Sequence, residues 1–259
     1  MPGLPRSIRV LVAAAGAVAL LALTGCGPLD AVASQASASP SAQAGGPKQA
    51  IANPSPSASG TSDDEVQQVL QSVVDYWTEQ FRANGQTFVP ATKVVPYAKV
   101  TEASCAGSPV ELGNAFYCPT DNTVLYDVNW VRSSYQKWGR SFLFFLFAHE
   151  YGHSVQTQVG ANHLITITYE LQADCLSGAF LGDSVRDNKY QLTDADFDGL
   201  KKSLTDAADP ATDSQYEAWF HPLAHGSMAK RMDAFTRGYQ NSYGACHLDS
   251  NKGVVLKPV

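Results

Sequence analysis

The spacing of apolar residues changes along the chain from helical to β-type and back to helical. From residue 66 to residue 81 the apolar positions follow steps of four, three, one, three and four, which predicts one face of a helix. Residues 86–128 are rich in turn-forming and β-branched residues, which predicts short strands and loops. Helical spacing returns around residues 129–159, 166–185, 193–207 and 227–240. This order predicts an α+β fold that is mostly helical and has a small β-sheet.

The first 25 residues have the pattern of a secretory signal peptide. Arg6 and Arg9 precede an uncharged apolar stretch, VLVAAAGAVALLAL, at residues 10–23. This stretch is too short to span a bilayer comfortably but suits the core of a signal. The sequence LTGC at residues 23–26 resembles the lipobox of bacterial lipoproteins. That resemblance implies cleavage before Cys26 and attachment of diacylglycerol to its sulfur, whereas a plain secretory peptide would leave Cys26 incidental.

Residues 26–62 are predicted to form a flexible linker between this lipid anchor and a folded domain at residues 63–259. The segment consists mainly of Ala, Ser, Pro, Gly and Gln and has almost no large apolar side chain. Such a composition cannot bury enough surface to offset the entropy of the chain. We therefore expect an extracytoplasmic protein, anchored to the cell membrane through lipid.

The charge balance disfavours nucleic acid or an anionic surface as a partner. The formal net charge is −6, and removal of residues 1–25 would leave 16 basic and 24 acidic side chains, a net charge of −8. An acidic protein repels polyanions, so no nucleic acid is expected among its partners.

Four cysteines follow Cys26, and an even number in an exported domain suggests disulfides. They are Cys105, Cys118, Cys175 and Cys246. Three pairings are possible. Cys105 and Cys118 bracket a glycine-containing loop that can fold back, which leaves Cys175 to pair with Cys246. The alternative, a metal site built from thiolates, lacks any C-x-x-C spacing.

The segment SFLFFLFAHEYGHSVQTQVG places titratable residues inside a very apolar helix. His149, Glu150 and His153 form the pattern H-E-x-x-H. On a helix the two histidines lie on one face, where both imidazoles can bind one metal ion, with the glutamate beside it as a base. Gly160 can end this helix with a left-handed cap.

A second helical segment, ELQADC, supplies two carboxylates at the same spacing. Glu170 and Asp174 are four residues apart and face the same way. One of them can complete a zinc site of two histidines and one glutamate-type ligand, which leaves a fourth position for water. The other can orient a ligand histidine by accepting its second N–H.

Together these segments resemble the gluzincin metallopeptidases, through the arrangement HExxH…ExxxD. More narrowly, AHEYGHSVQ, ELQADCLSG, FYCPTDNTVLYD and HGSMAKRMDAFTRGY…C resemble the bacterial family of putative neutral zinc metallopeptidases, over about residues 65–248. The resemblance implies a zincin-like domain with His149, His153 and Glu170 as zinc ligands. It also implies Glu150 as the catalytic base and Asp174 as the partner of a ligand histidine. Ser154 stands where the family often has a further histidine.

Stabilisation of an oxyanion would need a further hydrogen-bond donor. The candidates are His225, His221 and Arg231. His225 follows the two carboxylates in the chain order of the transition-state histidine of thermolysin-like enzymes, but it could equally be a residue at the start of a helix beside Ser227. We expect the remaining two, His163 and His247, on the surface. The segment AFYCPTDNTVLYD is either an edge strand that binds peptide or an ordinary core strand.

These observations predict a membrane-anchored, extracytoplasmic peptidase that uses Zn²⁺ to hydrolyse peptide bonds in peptide or protein substrates. The alternative is a catalytically silent lipoprotein that keeps the zinc fold and acts as a binding or scaffolding partner. A third possibility, zinc capture for transport, would predict a mobile loop rich in histidine or acidic residues, and the linker has no histidine.

Overall fold

Helices and a small sheet follow one another along the chain in the predicted order. The computed structural model describes residues 62–161, 166–208, 224–248 and 256–257. The predicted signal peptide, Cys26 and the linker up to residue 61 lie outside this part. Within the described residues, no helix is both long enough and apolar enough to cross a membrane.

The described helices confirm an α+β fold with a helical majority. They are α1 (Ser62–Ala83), α2 (Val128–Trp138), α3 (Arg140–Val159), α4 (Thr166–Arg186), α5 (Asp194–Asp206) and α6 (Met228–Asn241), followed by a 3₁₀ helix at Tyr243–Cys246. The helical region predicted around residues 129–159 is divided into α2 and α3. Gly139 separates them with φ 78° and ψ −169°, a backbone conformation outside the helical region.

Three strands form a mixed sheet in the order β1–β5–β4, and two short strands form a separate hairpin. The strands are β1 (Lys93–Tyr97), β2 (Ser104–Cys105), β3 (Ser108–Pro109), β4 (Ala115–Cys118) and β5 (Thr123–Asp127). β5 is central, pairing in parallel with β1 and antiparallel with β4. β4 therefore lies at one edge of the sheet. The segment AFYCPTDNTVLYD supplies both the edge strand and the central strand.

Helix α3 is the most buried helix of the described part of the domain. Sixteen of its twenty residues are buried, and it packs against α1, α2, α4, α5 and β4. A helix that is apolar on all sides is stable only when it is surrounded. The helix ends as predicted at Gly160, which adopts the left-handed conformation with φ 69° and ψ 37°.

Helices α4 and α6 approach each other so closely that glycine is required at their contact. A methyl group added at Gly178 would lie 2.0 Å from the Phe235 carbonyl oxygen, and one at Gly238 would lie 1.8 Å from the Cys175 carbonyl oxygen. This contact fixes α6 against the part of α4 that carries the predicted carboxylates.

The structure contains both disulfides of the predicted pairing. Cys105 is bonded to Cys118, which ties the β2–β3 hairpin to the edge strand β4. Cys175 is bonded to Cys246, which ties the middle of α4 to the 3₁₀ helix that follows α6.

Candidate metal centre and active site

Three side chains from α3 and α4 converge at one point. His149 and His153 lie one turn apart on α3, and Glu170 lies near the start of α4. His149 Nε2 is 3.2 Å from His153 Nε2 and 3.2 Å from Glu170 Oε2. His153 Nε2 is 3.5 Å from Glu170 Oε1. Among the described residues, this group is close enough to share one metal ion.

These separations fit a tetrahedral zinc ion. Two ligand atoms held about 2.0–2.1 Å from zinc at tetrahedral angles lie roughly 3.3–3.4 Å apart. Two imidazole nitrogens and one carboxylate are also the donor set of a catalytic zinc site, which leaves the fourth position open. The side chains of His149, His153 and Glu170 therefore suit zinc in both chemistry and spacing.

The structure places Asp174 behind His149, on the side of the ring that faces away from the other two candidate ligands. Asp174 is completely buried, and its Oδ1 lies 2.9 Å from His149 Nδ1. Arg231 on α6 donates from Nε to Asp174 Oδ2 and from Nη2 to Oδ1, both at 2.8 Å. The two carboxylates of ELQADC therefore occupy different sides of His149, in the arrangement that the family resemblance implies.

Arg231, one of the candidate oxyanion donors, is held on Asp174 by this bidentate pair. Its remaining Nη1 donates to the Ala207 carbonyl oxygen at 2.7 Å, just after α5. The guanidinium therefore joins α4, α5 and α6 behind the histidine.

His153 has a neutral partner, Gln156, that is not among the site residues predicted above. Its Nδ1 lies 2.8 Å from Gln156 Oε1, and its ring stacks on Tyr169 with centroids 4.9 Å apart. Gln156 follows His153 by three residues and is fully buried. The signal available in the sequence was this i, i+3 spacing, which places the amide over the same face of the helix.

Glu150 lies beside the candidate metal site and is held by the sheet. Its side chain is 4% exposed, and its Oε2 accepts a hydrogen bond from the backbone N–H of Tyr117 at 2.8 Å. Because Tyr117 belongs to the edge strand β4, this bond joins the sheet directly to the HExxH helix. Sequence spacing gave no indication of this contact.

Burial and the neighbouring charges shift the pKa values of the site in opposite directions. Burial raises the pKa of Glu150 above its ordinary value. For His149 burial acts to lower the pKa, but hydrogen bonds to Asp174 and Glu170 outweigh it and raise the pKa to about 10. Burial also acts to raise the pKa of Glu170, but the two histidines outweigh it and hold that pKa well below its usual range.

A cavity of about 240 Å³ opens beside His149 and Glu150. One wall is apolar and includes Trp130, Trp138, Phe142, Phe145 and Leu146, and His225 lies on the polar side. The structure thus brings His225 to the cavity that Glu150 lines.

Two of the remaining histidines, His163 and His221, lie outside the described residues. His247 is exposed, as predicted, directly after the 3₁₀ helix.

The buried HExxH helix, the glutamate from a second helix and the adjoining edge strand agree with the family that the sequence matches. The chain matches the family described as "Putative neutral zinc metallopeptidase" over residues 3–247, and it belongs to that family.

Relatives from two bacterial groups resemble this chain. "Uncharacterized protein YpfJ" of Escherichia coli (strain K12) is 28% identical over 194 residues, which cover 67% of this chain and 66% of that protein. "Uncharacterized protein Rv2575" of Mycobacterium tuberculosis is 31% identical over 160 residues, which cover 52% of this chain and 54% of that protein. The chain thus spans just under two thirds of the first relative and about half of the second. No solved structure gives a significant match.

Proposed function

We propose that this protein is a zinc-dependent peptidase that acts outside the cytoplasm and is anchored to the membrane by lipid on Cys26. The observation that carries the peptidase proposal is the position of Glu150. It is a buried carboxylate beside His149, His153 and Glu170, and it lines a cavity. The hydrogen bond from Tyr117 N–H occupies Oε2 of this carboxylate, and a general base is required at this position beside the three candidate ligands.

Each residue of the site has a proposed role in hydrolysis. When bound to His149, His153 and Glu170, zinc would supply the Lewis acidity that acidifies an attacking water and polarises the peptide carbonyl. Glu150 would take the proton of that water and pass it to the leaving amine. Its raised pKa favours this role, because a base is most efficient when its pKa is close to the working pH.

His225 is the proposed donor to the developing oxyanion, because it lines the same cavity as Glu150. Arg231 is less suited to that role, because three of its nitrogens already donate to Asp174 and Ala207.

The edge strand β4 is the proposed binding site for the substrate backbone. Tyr117 N–H points away from β5, since it donates to Glu150 rather than to the sheet. Because this N–H is already bonded to Glu150, a peptide laid along this edge would form main-chain hydrogen bonds with other backbone groups of β4, irrespective of its sequence, and its backbone would run past the base. The proposed substrates are therefore extended peptides or unfolded protein segments.

The peptidase proposal is tested by comparing wild type with Glu150→Gln. The variant should keep zinc, because the three candidate ligands are unchanged. It should lose activity on a quenched peptide library by about 10²–10⁴-fold, the usual contribution of a general base. Equal cleavage by both proteins would refute the role of Glu150. Zinc in both and cleavage by neither would favour the binding lipoprotein.

The anchoring proposal rests on the sequence of residues 1–62 alone and needs its own test. Mass spectrometry of the N-terminal peptide from the native host should find Cys26 diacylated, and Cys26→Ser should release the protein from the membrane fraction. An unmodified Cys26 in the wild-type protein would exclude the lipid anchor.

A further inference from the structure

A chain of three hydrogen-bonded side chains leads from His153 to the C-terminal part of the domain. Gln156 Oε1 faces His153 Nδ1 at 2.8 Å, and Gln156 Nε2 donates to Gln172 Oε1 at 2.9 Å. Gln172 Nε2 in turn donates to the backbone carbonyl oxygens of Cys246 at 2.9 Å and of His247 at 2.7 Å. Both glutamine side chains are buried, Gln156 completely and Gln172 with 5% exposure.

The backbone groups at the end of this chain fix the direction of every hydrogen bond in it. A carbonyl oxygen can only accept, so the amide of Gln172 must present its N–H groups to Cys246 and His247 and its oxygen to Gln156. Gln156 also donates from Nε2 to the Tyr169 carbonyl oxygen at 2.8 Å. Its nitrogen is therefore turned to two acceptors, and its oxygen to His153.

The direction of this chain decides which nitrogen of His153 carries the proton. Because Gln156 Oε1 can only accept, His153 Nδ1 must be the donor. In the neutral ring, Nε2 is then unprotonated, and it is the nitrogen that faces His149 and Glu170. A metal ion needs this nitrogen unprotonated.

We infer that Gln156 and Gln172 are positioning residues, which hold His153 in the tautomer and the ring orientation that a metal ion requires. The inference rests on the proposed zinc site. Partners of this kind usually change metal affinity by about 10–100-fold when they are removed. In addition, the ring of Tyr169 stacks on the face of the His153 ring and limits its rotation.

The acceptor end of this hydrogen-bond chain is held in place by a disulfide bond. Cys246, whose carbonyl accepts from Gln172, forms a disulfide with Cys175 on the same helix as Gln172. The acceptors therefore cannot drift away from α4 while the disulfide is intact.

Variants of Gln156 separate positioning of the ring from simple filling of buried space. Gln156→Leu keeps most of the volume and removes the acceptor. Gln156→Glu keeps an acceptor for His153 Nδ1–H but places a carboxylate against the Tyr169 carbonyl. Gln158→Leu is the matched control, because Gln158 lies on the same helix and bonds to Val89 and Ser154 instead of a histidine.

Two measurements on the full-length protein test the inference. Zinc affinity should fall about 10–100-fold in Gln156→Leu and less in Gln172→Leu, and it should stay within about twofold of wild type in Gln158→Leu. The second is ¹⁵N NMR of zinc-free, histidine-labelled protein over a series of pH values, with the tautomer read where the His153 ring is neutral. Wild type and Gln156→Glu should show His153 protonated at Nδ1, and Gln156→Leu should show a mixture of tautomers.

Either of two results would overturn the inference. One is wild-type zinc affinity in Gln156→Leu, and the other is the same single tautomer of His153 with and without Gln156. If wild type binds no zinc, the proposed metal site fails. The tautomer measurement still decides the role of the two glutamines, because it uses zinc-free protein.

Discussion

The two histidines of the candidate metal centre are held by environments of opposite character. His149 rests on a buried carboxylate, Asp174, which is itself paired with the buried guanidinium of Arg231. His153 rests on a neutral amide, Gln156, which continues into a second amide, Gln172. One side of the site is held by charge and the other by the direction of amide hydrogen bonds.

The difference follows from the amount of negative charge that the site already contains. Glu150, Glu170 and Asp174 place three carboxylates around two imidazoles, and Arg231 supplies one positive charge in return. A further carboxylate behind His153 would add another buried charge, which is costly without a partner. An amide can fix the same ring without that cost.

Both sides are completed by the C-terminal part of the domain. Arg231 lies on α6, and Cys246 and His247 lie at the end of the 3₁₀ helix that follows it. The glycine contacts between α4 and α6 bring these groups within reach of α4. The candidate ligands thus come from α3 and α4, while the groups that orient them depend on residues about 80–100 positions further along the chain than His149.

The largest effect is expected from breaking the charged side with Asp174→Asn. The amide can still accept from His149 Nδ1, but Arg231 loses its charge partner while its side chain is 3% exposed. Removal of one partner from a buried ion pair lowers the free energy of unfolding by about 3–5 kcal/mol. Chemical denaturation of the zinc-free protein measures this loss, and zinc affinity should also fall by about 10–100-fold.

Two controls accompany this variant. Asp183→Asn changes another partly buried acid on α4, which contacts Arg186 and Tyr76 rather than a histidine, and it should leave zinc affinity unchanged. Adding Arg231→Met to Asp174→Asn should recover part of the lost stability. A loss below about 1 kcal/mol in Asp174→Asn would show that the ion pair contributes as little as an exposed one.

A smaller effect is expected from breaking the neutral side with Gln156→Leu. The change removes the shared donor of the part-buried Tyr169 carbonyl and the buried Gln172 Oε1. Each unsatisfied buried polar group costs about 1–3 kcal/mol, and no charge is left unpaired. The Tyr169 carbonyl and His153 Nδ1 are only part-buried, so water can replace Gln156 at both, and the main cost falls on Gln172 Oε1. The free energy of unfolding of the zinc-free protein should therefore fall by less than in Asp174→Asn. A larger loss in Gln156→Leu would reverse the comparison.

Sequence patterns brought the three candidate ligands together more readily than the groups that hold them. HExxH and ExxxD are local patterns, and helical geometry alone places their side chains on one face. The orientation of α4 around its axis decides which carboxylate meets Nε2 and which meets Nδ1, so only the family resemblance distinguished Glu170 from Asp174. The contacts of Gln156 with Gln172 and of Glu150 with Tyr117 depend on tertiary packing and leave no periodic signal.

For the fold, too, the local elements were predictable and the features that depend on tertiary packing were not. Apolar spacing identified the helical and β regions, and Gly160 ended α3 as expected. The division between α2 and α3 was not predicted, because a single glycine inside a helical pattern is compatible with a continuous helix. At this break the backbone of Gly199 on α5 packs closely against the carbonyl oxygen of Trp138, the last residue of α2, and such a tertiary contact has no local sequence pattern.

The smallest effect concerns the proton that zinc must displace, and it compares the two sides through the number of protons released rather than through stability. In the zinc-free protein hydrogen bonds to Asp174 and Glu170 outweigh burial and raise the pKa of His149 to about 10. Zinc requires the unprotonated ring, so binding at pH 7–9 should release this proton. Release of one proton should make the free energy of zinc binding more favourable by about 1.4 kcal/mol for each pH unit. This dependence should level off above about pH 10, where His149 is already unprotonated.

Calorimetry in buffers of different ionisation enthalpy counts the protons released. Asp174→Asn removes one cause of the raised pKa, so fewer protons should be released near pH 8, whereas Gln156→Leu leaves both carboxylates beside His149 and should release as many as wild type. An equal decrease in both variants would mean that the charged and neutral sides act on the same proton, and that the division between them is wrong.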